Sequence, residues 1–383
     1  MNPLFAALPP TIFDVMSGLA RQHGAINLGQ GFPDAPGPEF VRRAAAEAVM
    51  NGSNQYPPMA GVPALRQAVA GHYARRQNLT LDWEREIIVT SGATEALAAS
   101  FLALLSPGDE AILFQPLYDS YAPMVRLAGA KPVLARLAPP HFRFDAPMIE
   151  ALITPRTRLI ALNNPLNPAA VVYGTEDLAL LANLCVAHDL ICLCDEVWEE
   201  VVFDQARHQP LIGFPGMRER AVKIGSAGKM FGLTGWKVGF VCAAAPLIGV
   251  IVKAHQFLTY TTPPNLQTAV AEGLNNPGDW FTAMPAGLQR SRDRLAANLR
   301  AEGFAVLPSA GTYFLNIDLA ASGITEPDHA FARRAVTEHG VASIPVSAFY
   351  EDAPVTHILR LCFAKADEVL DEGARRLAAA RRG

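Results

Sequence analysis

The sequence predicts an α/β protein, with a mostly parallel seven-stranded sheet covered by helices on both faces and a smaller α/β domain. Three observations carry that expectation. From residue 87 to residue 257 short apolar runs alternate with helical patterns, as they do where strands and covering helices are wound in turn. Half of the 383 residues are hydrophobic and only 18% are charged, so a large core can be buried. Near Ala286 the alternation gives way to one long polar helical run and several shorter strands, which marks a second unit.

Residues 1–30 carry several prolines and end in INLGQ, which runs on into GFPD. They read as an N-terminal arm that also supplies part of the smaller domain. The large domain is expected over 31–285. A Pro-started, Ala- and Arg-rich run over 37–50 reads as a helix, stopped by NGSNQYPP. The seven strands are then 87–90, 111–114, 133–135, 159–162, 191–194, 222–224 and 238–242, each short and apolar, as strands buried on both faces are. Helices are expected over 94–105, 175–188 and 247–257. The smaller domain, 286–383, should hold a helix over 286–302, strands over 304–307, 313–317, 341–344 and 358–363, and a last Ala- and Arg-rich helix.

Composition excludes several classes of function. A net charge of -4 leaves no basic footprint for nucleic acid. No uninterrupted apolar run approaches the length of a membrane span. The first residues show no secretion signal, so a cytoplasmic protein is expected. Five cysteines, an odd number without framework spacing, point to reduced thiols. No metal is expected. Cys192 and Cys194, with His188, could suggest ligands, but an apolar strand using cysteine as a small hydrophobe explains the same letters.

Ligands of open α/β sheets gather beyond the carboxyl ends of the strands, so the polar residues just past each apolar run carry the chemistry. The run SAGKMFGLTGWKVG, residues 226–239, holds two of the chain's six lysines among small residues. A lysine partly removed from water there becomes nucleophilic enough to form an imine with an aldehyde, with Ser226 and Lys237 at hand for a phosphate. A glycine-rich surface turn would show the same letters. Gly92, Ala93 and Thr94 open a helix after the first strand, where free N–H groups suit an anion. Tyr118 offers an aromatic face, Asn167 an amide between prolines, and Asp195 a carboxylate for a protonated ring nitrogen. Each alone reads equally as cap, rim or core; successive strand ends supply the whole set.

Together the segments NLGQGFPD, NQY, SGATEAL, PLYDSYAP, SAGK, TGWKVG, SIPVS and RLCFAK resemble the class I aminotransferases, the fold type I pyridoxal-phosphate enzymes. They are most similar to the branch that holds bacterial methionine aminotransferase and the kynurenine and glutamine transaminases. The resemblance implies pyridoxal 5'-phosphate as cofactor, with Lys229 as the catalytic residue that forms the internal imine and then shuttles a proton. It places Asp195 on the pyridine nitrogen, Tyr118 on the ring face and Asn167 on the ring oxygen. Gly92, Ala93, Thr94, Ser226 and Lys237 would hold the phosphate, joined by Tyr56 of a neighbouring subunit, which implies a homodimer with shared active sites. Arg360 would grip the substrate carboxylate with help from Asn167 and the backbone at Gly31. Phe13, Gln22, Tyr260, Thr261 and Phe349 would surround the substrate side chain. Trp198 stands where this branch usually has tyrosine. It can donate only through its indole N–H, which implies a more basic imine.

The implied activity is ping-pong transamination of an apolar, sulfur-containing or aromatic L-amino acid, of the methionine, phenylalanine, kynurenine or glutamine type, with a 2-oxo acid. No matched arginine awaits a second carboxylate. Two alternatives share the residues: β-elimination from cysteine S-conjugates, and a non-catalytic sensor of amino acid or cofactor.

Overall fold

In the computed structural model, which describes residues 1–383, the first strand β1 (Ile26–Asn27) is followed by the seven expected from the apolar runs. These are β2 (Ile87–Ser91), β3 (Glu110–Gln115), β4 (Lys131–Arg136), β5 (Thr157–Asn163), β6 (Ile191–Asp195), β7 (Ala221–Ser226) and β8 (Val238–Cys242). They form one sheet in the order β2-β8-β7-β6-β5-β3-β4. Only β8 runs against its neighbours β2 and β7; the other pairings are parallel.

The near-continuous apolar character of these strands follows from burial on both faces. Ile88, Leu193, Ile224 and Val241 enter one core with the helices Gly92–Leu104 and Ala245–Leu258. Their neighbours Val89, Cys192, Cys194, Phe240 and Cys242 enter a second core with the helices Pro63–Gln77 and Pro264–Asn275. Cys192 and Cys194 are fully buried there, while His188 is exposed at the end of the helix Thr175–Ala187.

The C-terminal residues add β9 (Ala305–Val306), β10 (Phe314–Asp318), β11 (Val341–Ala342), β12 (Ile344–Pro345) and β13 (Ile358–Cys362). Strands β12-β13-β10-β9 make an antiparallel sheet, and β11 pairs in parallel with β1, so the N-terminal arm is tied to the end of the chain. The first of the two cores runs on without a break from the large sheet to Leu315, Ile317, Leu359 and Leu361.

Two elements depart from expectation. The apolar run 341–344 is two strands instead of one, because Ser343, fully buried, hands the chain from the β1 pairing to the β13 pairing. The long helix begins at Trp280, so the expected boundary at 285/286 falls inside the continuous helix Trp280–Ala301 with Pro285 in it. Proline there forfeits one backbone bond. The turn before it is held from outside: Trp280 Nε1 donates to the Met230 carbonyl at 2.8 Å and Phe281 is buried.

Candidate active site

The reversal of β8 decides where the site lies. Because β8 runs against its neighbours, its first residue meets the same sheet edge as the last residues of β2 and β7. Lys237, just before β8, therefore joins Gly92, Ala93 and Thr94 after β2 and Ser226 at the end of β7. Lys237 Nζ lies 3.4 Å from Thr94 Oγ1. Two glycines make the approach possible. A Cβ on Gly239 would fall 2.6 Å from the Gly92 carbonyl carbon, and Gly92 takes φ +74° with Lys237 packed over it. The helix that opens at Gly92 turns its free N–H groups into this corner.

The same cavity is lined by Tyr118, Asn163, Asn167, Asp195, Trp198, Lys229 and Thr234. The structure thus gathers in one place nearly all of the residues assigned to the cofactor, drawn from the edge where β2, β3, β5, β6 and β7 end and β8 begins. Asp195 is 6% exposed. It accepts a 2.5 Å hydrogen bond from the Tyr121 hydroxyl and a longer one from the Val197 N–H, and no cation is salt-bridged to it. Burial pushes its carboxyl up to about 6, against the pull of those hydrogen bonds and of Lys229.

Lys229 sits on the one-turn helix Ala227–Met230, its amine 4.5 Å from the centre of the Trp198 ring. Its polar neighbours are the Tyr313 hydroxyl at 3.0 Å and the Gly31 carbonyl at 3.5 Å. Burial pushes its amine down to about 8. Arg360 and Lys237 lower it further, and the Asp195 carboxylate opposes the fall. An amine so placed exchanges its proton near neutrality, which suits a group that must be nucleophile, base and acid in turn.

Arg360 lies in the middle of β13 and is 1% exposed. It donates to Asn167 Oδ1 at 2.8 Å and to the Gly29 carbonyl at 3.0 Å, while its buried Nε has no partner. Its guanidinium lies 3.9 Å from the centre of the Phe314 ring and 5.2 Å from those of Phe13 and Phe349. A buried, incompletely bonded guanidinium with an aromatic lining calls for an anion attached to an apolar group. Burial lowers it to about 10, still charged at neutral pH.

Beneath the sheet edge, the segment after Asp195 is anchored by charge. Lys223 is fully buried on β7 and donates to both Glu196 and Glu199. Glu196 also meets His208 at 3.0 Å and the Leu211 N–H at 3.1 Å. The Tyr73 hydroxyl donates to Glu199 at 2.7 Å, and His72 and Arg76 hold Glu200. Glu196, Glu199 and His208 converge as metal ligands would, but the Lys223 ammonium already stands between the two carboxylates.

Some assigned residues lie elsewhere. Tyr56 is 83% exposed and packs edge-on against Tyr260, 45% exposed, at 5.6 Å. Tyr56 and Thr261 line a separate open groove, and Gln22 is exposed at the end of the helix Ile12–Gln22. Conversely, Tyr121, Asn163, Thr234 and Tyr313 belong to the site without having been singled out. Tyr121 stands three positions after Tyr118 at the start of the helix Tyr121–Leu127, a spacing that could have drawn notice. Tyr313 had no such signal, since its partner Lys229 is remote in sequence.

Comparison with known proteins gives the arrangement a context. The family model described as aminotransferase class I and II matches residues 23–377. Methionine aminotransferase of Escherichia coli is 44% identical over 381 residues, 98% of each chain. A probable N-succinyldiaminopimelate aminotransferase of Mycobacterium tuberculosis is 44% identical over 378 residues, 96% of this chain and 95% of that one. The solved structure of the N-succinyldiaminopimelate aminotransferase from that organism superposes with a TM-score of 0.96 at 44% identity, covering 99% of this chain and 100% of the other.

Proposed function

Since the chain belongs to the class I and II aminotransferases, we propose that it moves the amino group of an apolar, sulfur-containing or aromatic L-amino acid to a 2-oxo acid. The observation that carries this reading is a cavity-lining lysine amine lowered towards neutrality, beside an incompletely bonded buried arginine that is hydrogen-bonded to the cavity's Asn167 and packed on aromatic rings.

The family depends on pyridoxal phosphate, and the residues present fit that group. Asp195 is a buried carboxylate without a cationic partner, and a protonated ring nitrogen is the cation that would satisfy it. The corner formed by Gly92, Ala93, Thr94, Ser226 and Lys237 suits a phosphate dianion, and Tyr118 a flat ring. When bound, the cofactor supplies an aldehyde carbon and a ring that accepts the electron pair left at the substrate Cα. The chain's own residues do the rest. Arg360 and Asn167 bind the α-carboxylate and so fix which bond at Cα faces Lys229. The Lys229 amine takes the Cα proton and returns it elsewhere. The aromatic residues Phe13, Phe314 and Phe349 receive the side chain and exclude water.

An apolar wall discriminates weakly among similar side chains, so broad specificity is expected. The equally similar mycobacterial relative favours a second reading, a donor with a carboxylate on its side chain. Against it, the cations that line or border the cavity, Lys229, Lys237 and Arg360, already have work in the first reading.

The phosphate corner is open to solvent at Thr94 and Lys237, and Tyr56 and Tyr260 form an exposed aromatic pair. Both features support a homodimer in which Tyr56 of one subunit reaches the phosphate of the other.

The test is the absorbance of cofactor-loaded protein mixed separately with methionine, phenylalanine, kynurenine, glutamine, leucine, aspartate and N-succinyldiaminopimelate, without an oxo acid. Conversion to the aminated cofactor by the apolar donors is the expected result. Conversion by N-succinyldiaminopimelate alone would select the second reading, and none with any donor would remove transamination in favour of elimination or sensing.

A further inference from the structure

We propose that Tyr313 is a further catalytic residue, whose hydroxyl oxygen accepts a hydrogen bond from the Lys229 amine and holds that amine in place whenever it is free. The inference rests on the transamination reading, in which Lys229 would be freed from the cofactor in one half-reaction and would rejoin it in the other.

The hydrogen-bond inventory assigns the role. A tyrosine hydroxyl has one hydrogen to give and lone pairs to offer. Tyr313 gives its hydrogen to the Gly31 carbonyl at 2.6 Å. What faces Lys229 Nζ at 3.0 Å is therefore a lone pair, and the amine is the donor. Gly31 and the Trp198 ring face complete a nest that favours a protonated amine.

The acceptor is rigid and neutral. Tyr313 is 1% exposed, stands directly before β10, and packs edge-on against Trp198 at 4.4 Å and Phe314 at 5.1 Å. Burial, and next the Cys362 thiol, hold its hydroxyl well above the usual phenol range, so it stays a phenol at any working pH. The loop it fastens is brought close by Gly31 itself, where a Cβ would fall 2.8 Å from Phe314 Cζ. The same loop is tied at Gly29 to Arg360, so the carboxylate grip and the lysine nest share one support.

The charged and titratable groups around Lys229 pull in opposite directions. Burial, Arg360 and Lys237 favour the neutral amine; the Asp195 carboxylate favours the ammonium. Tyr313 acts on the side of Asp195. It holds the ammonium formed when Nζ takes the Cα proton, and keeps that nitrogen in reach for returning it.

The test replaces one atom: Tyr313→Phe keeps the ring between Trp198 and Phe314 and removes the oxygen. With full-length protein carrying the aminated cofactor, trace acetylation across pH followed by peptide mass spectrometry reads the protonation midpoint of Lys229. The expected result is a midpoint lower by about one pH unit, the worth of one hydrogen bond to a charged amine. With it should come a roughly tenfold fall in kcat and an amino-acid KM within about twofold. A midpoint equal to that of the unaltered protein overturns the proposal even if kcat falls, because Tyr313 would then only pack. Near-UV circular dichroism and cofactor stoichiometry establish that the variant is folded. Should it not fold, 3-fluorotyrosine at 313, which keeps the ring and weakens the acceptor, must lower the midpoint in the same direction. Absence of half-transamination in the unaltered protein would instead defeat the underlying function, and the two failures are told apart.

Discussion

Asp195 shows how a residue can be arranged for a ligand at the expense of the chain alone. Its carboxyl is buried, and in the folded chain it titrates at about 6 instead of 3.8. A folded state that binds the extra proton between those values loses stability as pH rises through the window, and above it the cost is about 3 kcal/mol. Asp195→Asn removes the charge and keeps the size. In thermal melts of cofactor-free protein the variant should have the higher Tm at pH 8 and lose that advantage by pH 4. In loaded protein its kcat should fall on the order of 100-fold or more, because the ring nitrogen loses its counter-charge. A lower Tm than the unaltered protein at pH 8 would contradict the account. At this scale the sequence was readable where a residue's chemistry announces itself past a strand end, as for Lys229, Asp195 and Asn167. Tyr121 and Tyr313 were not readable, because a phenol that bonds Asp195 or Lys229 looks like any core tyrosine until the fold brings the partners together.

The element that presents Asp195 is a short segment with two allegiances. Asp195 and Trp198 face the cavity, while Glu196, Glu199 and Glu200 are held from behind by Lys223, Tyr73, His72 and Arg76. Burial alone would lower the Lys223 amine, but Glu196 and Glu199 outweigh it and hold it above its ordinary value. Lys223→Met would leave two buried carboxylates without their cation and should destabilise the protein by about 3–5 kcal/mol in urea unfolding. Adding Glu199→Gln should recover part of that loss, and a double variant no better than the single one would speak against the pairing. The strands that carry these residues were legible because burial on both faces makes a run apolar throughout. The split at Ser343 and the early start of the helix Trp280–Ala301 were not. Both depend on pairing and packing with distant residues, β1 in one case and Met230 in the other.

For the whole molecule, the proposed dimer makes each site a joint product of two chains. Lys229→Ala and Tyr56→Ala proteins should each be weak alone. Mixed, dissociated and reassociated in equal amounts, they should regain about one quarter of full activity, because half of the dimers then carry one intact site. No regain in a mixture shown to exchange subunits would place Tyr56 outside the partner's site. The sheet order has a further consequence, for synthesis. β2, first of the seven to leave the ribosome, has β8, the last, as its sole sheet neighbour. Until β8 emerges, β2 has no strand to pair with and the Gly92 turn has no Lys237 over it. The nascent chain thus carries an unpaired apolar strand through most of the large sheet's translation, and it gains its anion corner only when that wait ends.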